Sequence, residues 1–269
     1  MKNAAPKYLF KTNDNSWANI FDGIKTARQI ILFLDYDGTL VPIMEKPSLA
    51  AMSYQMEKIL RDLNRKRNIS IFLVTGRAYS DIKKIFRVKD ITIISNHGFQ
   101  ITGKNINWSH PDIKHFLPSL RKIKLLLMKK LNFFPLTFLE DKRNTLTVHF
   151  RNAEKKHIPL LKKTVRNIVV NYKEDLHTTS GKKIVEVRPN IRWNKGEAVL
   201  KIMRSLRIRN DATKIIYLGD DKTDEDAFKA LKNKAVTIVV GRKQNSHANY
   251  YVRNTEEVQK VLKSIHSIT

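Results

Sequence analysis

Residues 30–43 read I-I-L-F-L-D-Y-D-G-T-L-V-P-I. Five consecutive apolar residues, 30–34, are too few for a helix and run into a glycine turn, which is the pattern of a strand buried on both faces. The run ends on two carboxylates. Asp35 and Asp37 lie two positions apart, so in extended chain their side chains point the same way, and Gly38 then lets the backbone turn beneath them. Thr39 is placed to cap the next element of the chain. The spacing suits nucleophilic attack on phosphorus by one ionised aspartate, while its neighbour protonates the leaving oxygen and later activates water. Two like charges this close call for a divalent cation. The competing reading is a solvated turn after an edge strand, where Asp and Gly are common; the apolar residues on both sides of D-Y-D-G weigh against it.

On either side of this stretch, short apolar runs alternate with helical patterns. Residues 16–28 carry Trp17, Ile20, Phe21 and Ile24 at helical spacing. Residues 47–53 read as a loop, with Ser53 capping a helix through Met56, Ile59, Leu60 and Leu63. The run I-S-I-F-L-V ends in Thr75, Gly76 and Arg77 and leads to a helix over 81–86; the run I-T-I-I-S ends in Asn96, His97 and Gly98. Strands separated by helices predict parallel pairing and a doubly wound α/β sheet, with ligands gathered at the carboxyl ends of its strands. The first fifteen residues are polar and are expected to be loosely held.

After a hairpin-like piece over 99–108 the order changes to helix (111–131), two strands, helix (155–170), two strands. This is a compact α/β unit inserted between the third and fourth core strands. Its residues 112–185 hold 17 basic and 6 acidic residues, an excess of 11 positive charges, as expected of a lid over an anion. The core then resumes with a helix near 194–206, the strand I-I-Y-L, the acidic stretch G-D-D-K-T-D-E-D-A-F, the strand V-T-I-V-V and a closing helix over 255–265. The expected organisation is a catalytic core of 1–103 and 190–269 with a cap of 104–189.

Composition bounds what the chain can be. Its 269 residues, 42% hydrophobic and 28% charged, suit one large domain with an insertion. Zero cysteines exclude disulfides, thiol catalysis and Cys-ligated metal. The N-terminal residues lack the apolar segment of a secretion signal and no window reaches the length of a membrane span, so a soluble, cytoplasmic protein without a membrane partner is expected; a monomer is the expected state. A net charge of +26, from 51 basic and 25 acidic residues, can favour nucleic acid, anionic lipid or acidic substrates. The basic residues are interleaved with apolar ones, as in R-K-I-K-L-L-L-M-K-K (121–130), which reads as a solvated helix face. No nucleic-acid motif accompanies them.

Three further motifs carry chemistry. Thr75-Gly76-Arg77 ends a buried strand and starts a helix, and offers a hydroxyl, backbone N–H groups and the positive end of a helix dipole to a phosphate; a simple helix cap is the alternative. Residues 219–226, G-D-D-K-T-D-E-D, place five carboxylates after a strand, the hard oxygen donors that Mg²⁺ takes, with Asp220 the first candidate and Asp221 and Asp224 next; the alternative is acids favoured at a helix start. The loop lacks the residue order of an EF-hand. Lys195 begins a helix, where a cation opposes the dipole, so it is expected to offset phosphate and carboxylate charge; a surface lysine is the alternative.

Together these motifs resemble the haloacid dehalogenase superfamily, whose phosphatases carry D-x-D-G-T, a Ser or Thr, a Lys and a terminal acidic pair in this order. Over about 30–240 the pieces F-L-D-Y-D-G-T-L-V-P-I, V-T-G-R, N-H-G, L-E-D-K, H-F-R, G-K-K-I-V-E-V-R-P, W-N-K-G and L-G-D-D-K-T-D-E-D-A-F are similar to the trehalose-6-phosphate phosphatase family. The resemblance implies Asp35 as nucleophile, Asp37 as acid and base, Thr75 and Lys195 as phosphate ligands, and Asp35, Asp37 (through its carbonyl) and Asp220 on Mg²⁺. It further implies Gly76, Arg77 and His97, and on the cap Glu140, Lys142, Arg151, Glu186 and Arg188, as substrate-binding residues. Arg192 and Asn194 stand where that family often has acids around the tryptophan, and Gln100 where an acid often follows H-G. The expected activity is Mg²⁺-dependent hydrolysis of a small sugar phosphate, trehalose 6-phosphate, through an aspartyl-phosphate. The rivals are a related phosphatase for sucrose 6-phosphate or mannosyl-phosphoglycerate, and a nucleic-acid-binding protein on an inactive core.

Overall fold

The structure is a computed structural model and describes residues 5–11, 16–44, 49–181, 183–206, 208 and 212–269; the expected loose stretch at 1–15 and loop at 47–53 lie partly outside these. In chain order the elements are β1 (Lys7–Tyr8), α1 (Ser16–Lys25), β2 (Gln29–Asp35), α2 (Tyr54–Asn64), β3 (Ile69–Val74), α3 (Tyr79–Ile85), β4 (Thr92–Ser95), β5 (Gln100–Gly103), β6 (Ile106–Ser109), α4 (Ile113–Leu131), β7 (Phe138–Asp141) and β8 (Leu146–His149). There follow α5 (Ile158–Val170), β9 (Leu176–Gly181), β10 (Ile184–Pro189), α6 (Lys195–Ser205), β11 (Thr213–Gly219), α7 (Asp224–Ala230), β12 (Val236–Val240), β13 (Tyr250–Val252) and α8 (Thr255–Ile268). They divide into two compact units, residues 1–108 with 193–269, and residues 109–192.

In the first unit the strands run in the order β1-β13-β12-β11-β2-β3-β4-β5-β6. Pairing is parallel from β1 through β4, and β5 returns antiparallel to β4. The chain builds outward from β2 in one direction through β3 and β4, then in the other through β11, β12 and β13. The switch point therefore lies between β2 and β11, where doubly wound sheets bind ligands. β2 alternates as a strand must: Ile30, Leu32 and Leu34 enter the core beneath α1, α2 and α8, while Ile31 and Phe33 enter the core beneath α6 and α7. All five are fully buried. Ser53, Asn194 and Asn254 cap α2, α6 and α8, each accepting from the backbone N–H three residues on, an arrangement worth about 1 kcal/mol apiece. Asn194, which departs from the family pattern, thus has a structural use as a cap.

Residues 7–9 correct the expectation of a loose N-terminus. Lys7 and Tyr8 pair with Tyr250 and Tyr251, and Leu9 is fully buried. The chain leaves this unit at Trp108 and returns at Trp193, and those two indole rings pack 5.3 Å apart. Trp193 Nε1 also donates to the Gly98 carbonyl at 2.8 Å.

The second unit is an antiparallel sheet, β7-β8-β10-β9, with α4 and α5 on one face. Leu146, Val148, Val185, Val187 and Leu176 face those helices and meet Leu120, Ile123, Leu127, Leu161 and Val165. The alternate positions, polar except for Phe138 and Ile184, form the other face.

Candidate active site

The turn after β2 is shaped around its neighbour. Gly38 has φ of +84°, and a side chain at that position would collide with the Asp220 carboxylate, so glycine is needed both for the left-handed backbone and for the close approach. Asp220 directly follows β11, the strand paired with β2. The two acidic motifs, far apart in sequence, are therefore adjacent at the switch point.

Asp35 is 4% exposed. Its Oδ1 accepts from Lys195 Nζ at 2.7 Å and its Oδ2 from Thr39 Oγ1 at 3.3 Å. Lys195, the first residue of α6, is itself buried and gives a second hydrogen bond to Asp224 Oδ1 at 2.8 Å. Asp224 is fully occupied by donors: Tyr217 Oη also reaches its Oδ1 at 2.7 Å, and the backbone N–H groups of Asp220 and Asp221 reach its Oδ2, both at 3.0 Å. Asp221 Oδ1 accepts from Thr223 N, Thr223 Oγ1 and Asp224 N. Asp221 and Asp224 thus shape the loop that presents Asp220.

The electrostatics leave this cluster short of positive charge. One oxygen each of Asp35, Asp220 and Asp224 lies within 4.8 Å of the others; Lys195 binds Asp35 and Asp224, and Lys243 Nζ donates to the Asp220 backbone carbonyl. Burial alone would strip the Lys195 proton, but Asp224 and Asp35 outweigh it and hold the group charged well above the usual lysine range. Burial pushes the Asp35 carboxyl well up; Lys195 offsets part of this, and Asp224, Asp220 and Asp221 add to it. Burial, then repulsion from Asp224 and Asp221, pushes Asp220 up to about 7. Asp221 is moved the other way, because Lys195 and the Thr223 hydrogen bonds overcome its burial. Hard carboxylate donors with uncompensated charge fit a divalent cation.

Asp35 pairs with Val74 on β3, so Thr75 lies one residue beyond it on the neighbouring strand. Thr75 is buried, and its Oγ1 accepts from Arg77 N at 3.1 Å. The helix after this motif begins at Tyr79, with Ala78 as its cap. Residues 75–77 therefore form the strand-to-helix loop and do not, as expected, start the helix. Gly76 is packed against the His97 ring, which a side chain there would strike; His97 N donates to the Thr75 carbonyl and Asn96 N to that of Arg77. Arg77 grips Asp37 with two prongs, Nε to Oδ2 and Nη2 to Oδ1, both at 2.6 Å, and lies over the Tyr36 ring. Its partner in this structure is the second carboxylate of D-Y-D-G.

On the polar face of the second unit, Glu140, Thr147 and Glu186 stand opposite one another across β7, β8 and β10. Glu186 Oε1 is 3.2 Å from Lys142 Nζ and accepts from Thr145 and Thr147 hydroxyls at 3.3 Å, and Arg188 Nε lies 3.5 Å from its Oε2. His149 Nε2 is 2.6 Å from Glu140 Oε2, and its ring stacks on Phe138. Four of the five expected cap residues are thus on this face. Arg151 lies in the turn after β8, half-buried, with no ion pair among the described residues. Tyr217, His149, Thr145 and Thr147 lie outside the sequence expectations: Tyr217 reads as one more strand apolar, and the others become visible as site residues only once the register is known.

The sequence pattern of the trehalose-phosphatase family matches residues 33–260. The chain is 34% identical over 263 residues to trehalose-phosphate phosphatase B of Arabidopsis thaliana, a match spanning 92% of this chain and 70% of that one. The chain belongs to the trehalose-phosphatase family. That family consists of phosphoric monoester hydrolases, and the motifs of the core and of the second unit both fall inside the matched region. Among solved structures, a trehalose-6-phosphate phosphatase related protein superposes with a TM-score of 0.76 at 29% identity, covering 88% of this chain and 97% of the other. The C-terminal domain of Candida albicans trehalose-6-phosphate phosphatase does so with a TM-score of 0.84 at 21% identity, covering 99% and 100%; at that identity the likeness is one of fold. The haloacid dehalogenase-like α/β fold expected from the motifs is the fold observed.

Proposed function

We propose that this member of the family hydrolyses trehalose 6-phosphate to trehalose and phosphate through an aspartyl-phosphate on Asp35, with Mg²⁺ bound by the Asp35 and Asp220 carboxylates and the Asp37 carbonyl. The observation that carries the reading is the buried Asp35 carboxylate, held by Lys195 in a cluster one cation short. Bound there, Mg²⁺ would neutralise phosphoryl charge and let two aspartates ionise side by side. Asp35 forms a bond to phosphorus as the bond to the sugar O6 breaks, and Asp37 gives that oxygen its proton. Asp37 then takes a proton from the water that attacks phosphorus, which frees phosphate and restores Asp35. Lys195, Thr75 and the 75–77 loop hold the phosphoryl oxygens, so positioning and charge neutralisation supply most of the rate. Arg77 orients the Asp37 carboxyl.

The second unit is the specificity domain in this reading. Glu140 and Glu186 accept sugar hydroxyls, while Lys142, Arg188 and Arg151 donate to them. The test is phosphate release over a panel of trehalose 6-phosphate, sucrose 6-phosphate, glucose 6-phosphate and mannosyl-phosphoglycerate, with and without Mg²⁺. Trehalose 6-phosphate is expected to give the highest kcat/KM, and only with the metal. Preference for another member of the panel, or full activity in a chelator, overturns the reading.

A further inference from the structure

The outward side of the second unit's helical layer is basic and apolar at once. α4 carries six lysines and arginines and α5 three, and neither holds an aspartate or glutamate. The helices of the first unit each contain at least one acid. Of the six cations on α4, Lys124 has an acidic partner, Asp141, among the described residues.

The core does not account for the apolar residues on this side. Leu120, Ile123, Leu127 and Leu131 fill the face of α4 that meets the sheet. Leu125, Met128 and, just past the helix end, Phe133 are 62%, 51% and 75% exposed, and Leu160 at the start of α5 is also more than half exposed. Helical spacing sets Arg121, Leu125 and Met128 in one row and Lys122, Leu126 and Lys129 in the next. A solvated lysine face explains the charge and leaves these side chains in water without a reason.

We infer that this helical layer docks on an anionic phospholipid surface, with α4 in the interface plane, its lysines on headgroup phosphates and Leu125, Met128 and Phe133 reaching the outer acyl region. Among the described residues no helix is long and apolar enough to cross a membrane, and the contact proposed is a peripheral one. A nucleic-acid backbone would take the cations and leave the leucines in water. A lipid surface takes both, each basic residue near it adding electrostatic attraction and each buried apolar side chain adding to that. A protein partner needs close shape complementarity, whereas a bilayer accepts apolar side chains scattered among charges. The inference is independent of the proposed catalytic reading.

The test is co-sedimentation of the whole chain with vesicles of phosphatidylcholine alone or with about 30% phosphatidylserine. Binding is expected with the anionic vesicles only and should weaken about tenfold or more at high salt. The triple substitution Leu125→Ser, Met128→Ser, Phe133→Ser should cut binding about tenfold while the melting temperature and phosphate release stay unchanged. Absence of binding to anionic vesicles overturns the inference. So does undiminished binding by the triple variant, which would mean simple attraction to polyanions, or binding to polyglutamate in place of vesicles, which would mean an acidic protein partner.

Discussion

The two buried charge clusters of this molecule are built with opposite balances. In the first unit three carboxylates, Asp35, Asp220 and Asp224, lie close together, and the ammonium of Lys195 binds two of them, Asp35 and Asp224. In the second, Glu186 sits between two cations, Lys142 and Arg188, and accepts from two threonine hydroxyls. A cluster with excess negative charge suits a metal cation. A cluster with excess donors presents them to neutral hydroxyls or to an anion. The proposed division of labour, chemistry on one unit and recognition on the other, would follow from which sign each unit leaves over.

The sharpest way to break this contrast is Asp35→Asn. It should lower kcat by about 10⁴-fold or more while melting stays near that of the parent, because Lys195 keeps Asp224 as a partner; appreciable turnover by this variant would remove the nucleophile from the scheme. Next come the two central ions compared directly. Lys195→Met leaves buried carboxylates without a counter-ion and should cost about 3–5 kcal/mol in urea unfolding. Glu186→Gln keeps an acceptor for Lys142 and the threonines, and should cost about 1 kcal/mol while raising KM more than it lowers kcat. Equal losses from the two would mean that the clusters are not built differently.

Arg77→Ala separates positioning from binding. With Asp37 ungripped, kcat should fall about 10²-fold for a sugar phosphate, whose alkoxide needs a proton, and much less for p-nitrophenyl phosphate, whose leaving group does not. Equal losses would place Arg77 on the phosphate. The smallest effect concerns pH. In metal-free protein the Asp220 carboxyl titrates near 7, against about 3.9 for an unperturbed aspartate. The folded state therefore holds a proton that the unfolded chain has released, and stability should fall as pH rises from about 4 to 7. Asp220→Asn should flatten that slope and raise the metal-free melting temperature at pH 8 by about 2–4 °C; Mg²⁺ should stabilise the parent and not the variant.

Much of this is legible in the sequence alone, and for a physical reason. Buried parallel strands are apolar runs that end abruptly, so Asp35, Thr75, Asn96 and Asp220 all announce themselves at strand ends. The hidden part depends on register and on side-chain partners. β1 and β13, of two and three residues, are too short to show alternation. Asp224 reads as one acid among five until Tyr217, Lys195 and two backbone N–H groups are seen to converge on it. The two-pronged bond of Arg77 to Asp37 is not visible in the sequence. The apolar half of α4's outer side is hidden in R-K-I-K-L-L-L-M-K-K, where one set of leucines serves the core and another does not.

The tryptophan pair at which the chain leaves and re-enters the first unit bears on assembly. Because Trp108 and Trp193 pack against each other, everything between them begins and ends at one spot. If those intervening residues form their own sheet early, the long excursion behaves as a short tether, and completing the core costs little more chain entropy than closing an ordinary loop. The same arrangement makes the excursion exchangeable: a substitute segment whose ends lie equally close could be spliced at that doorway without disturbing the strands that carry the aspartates.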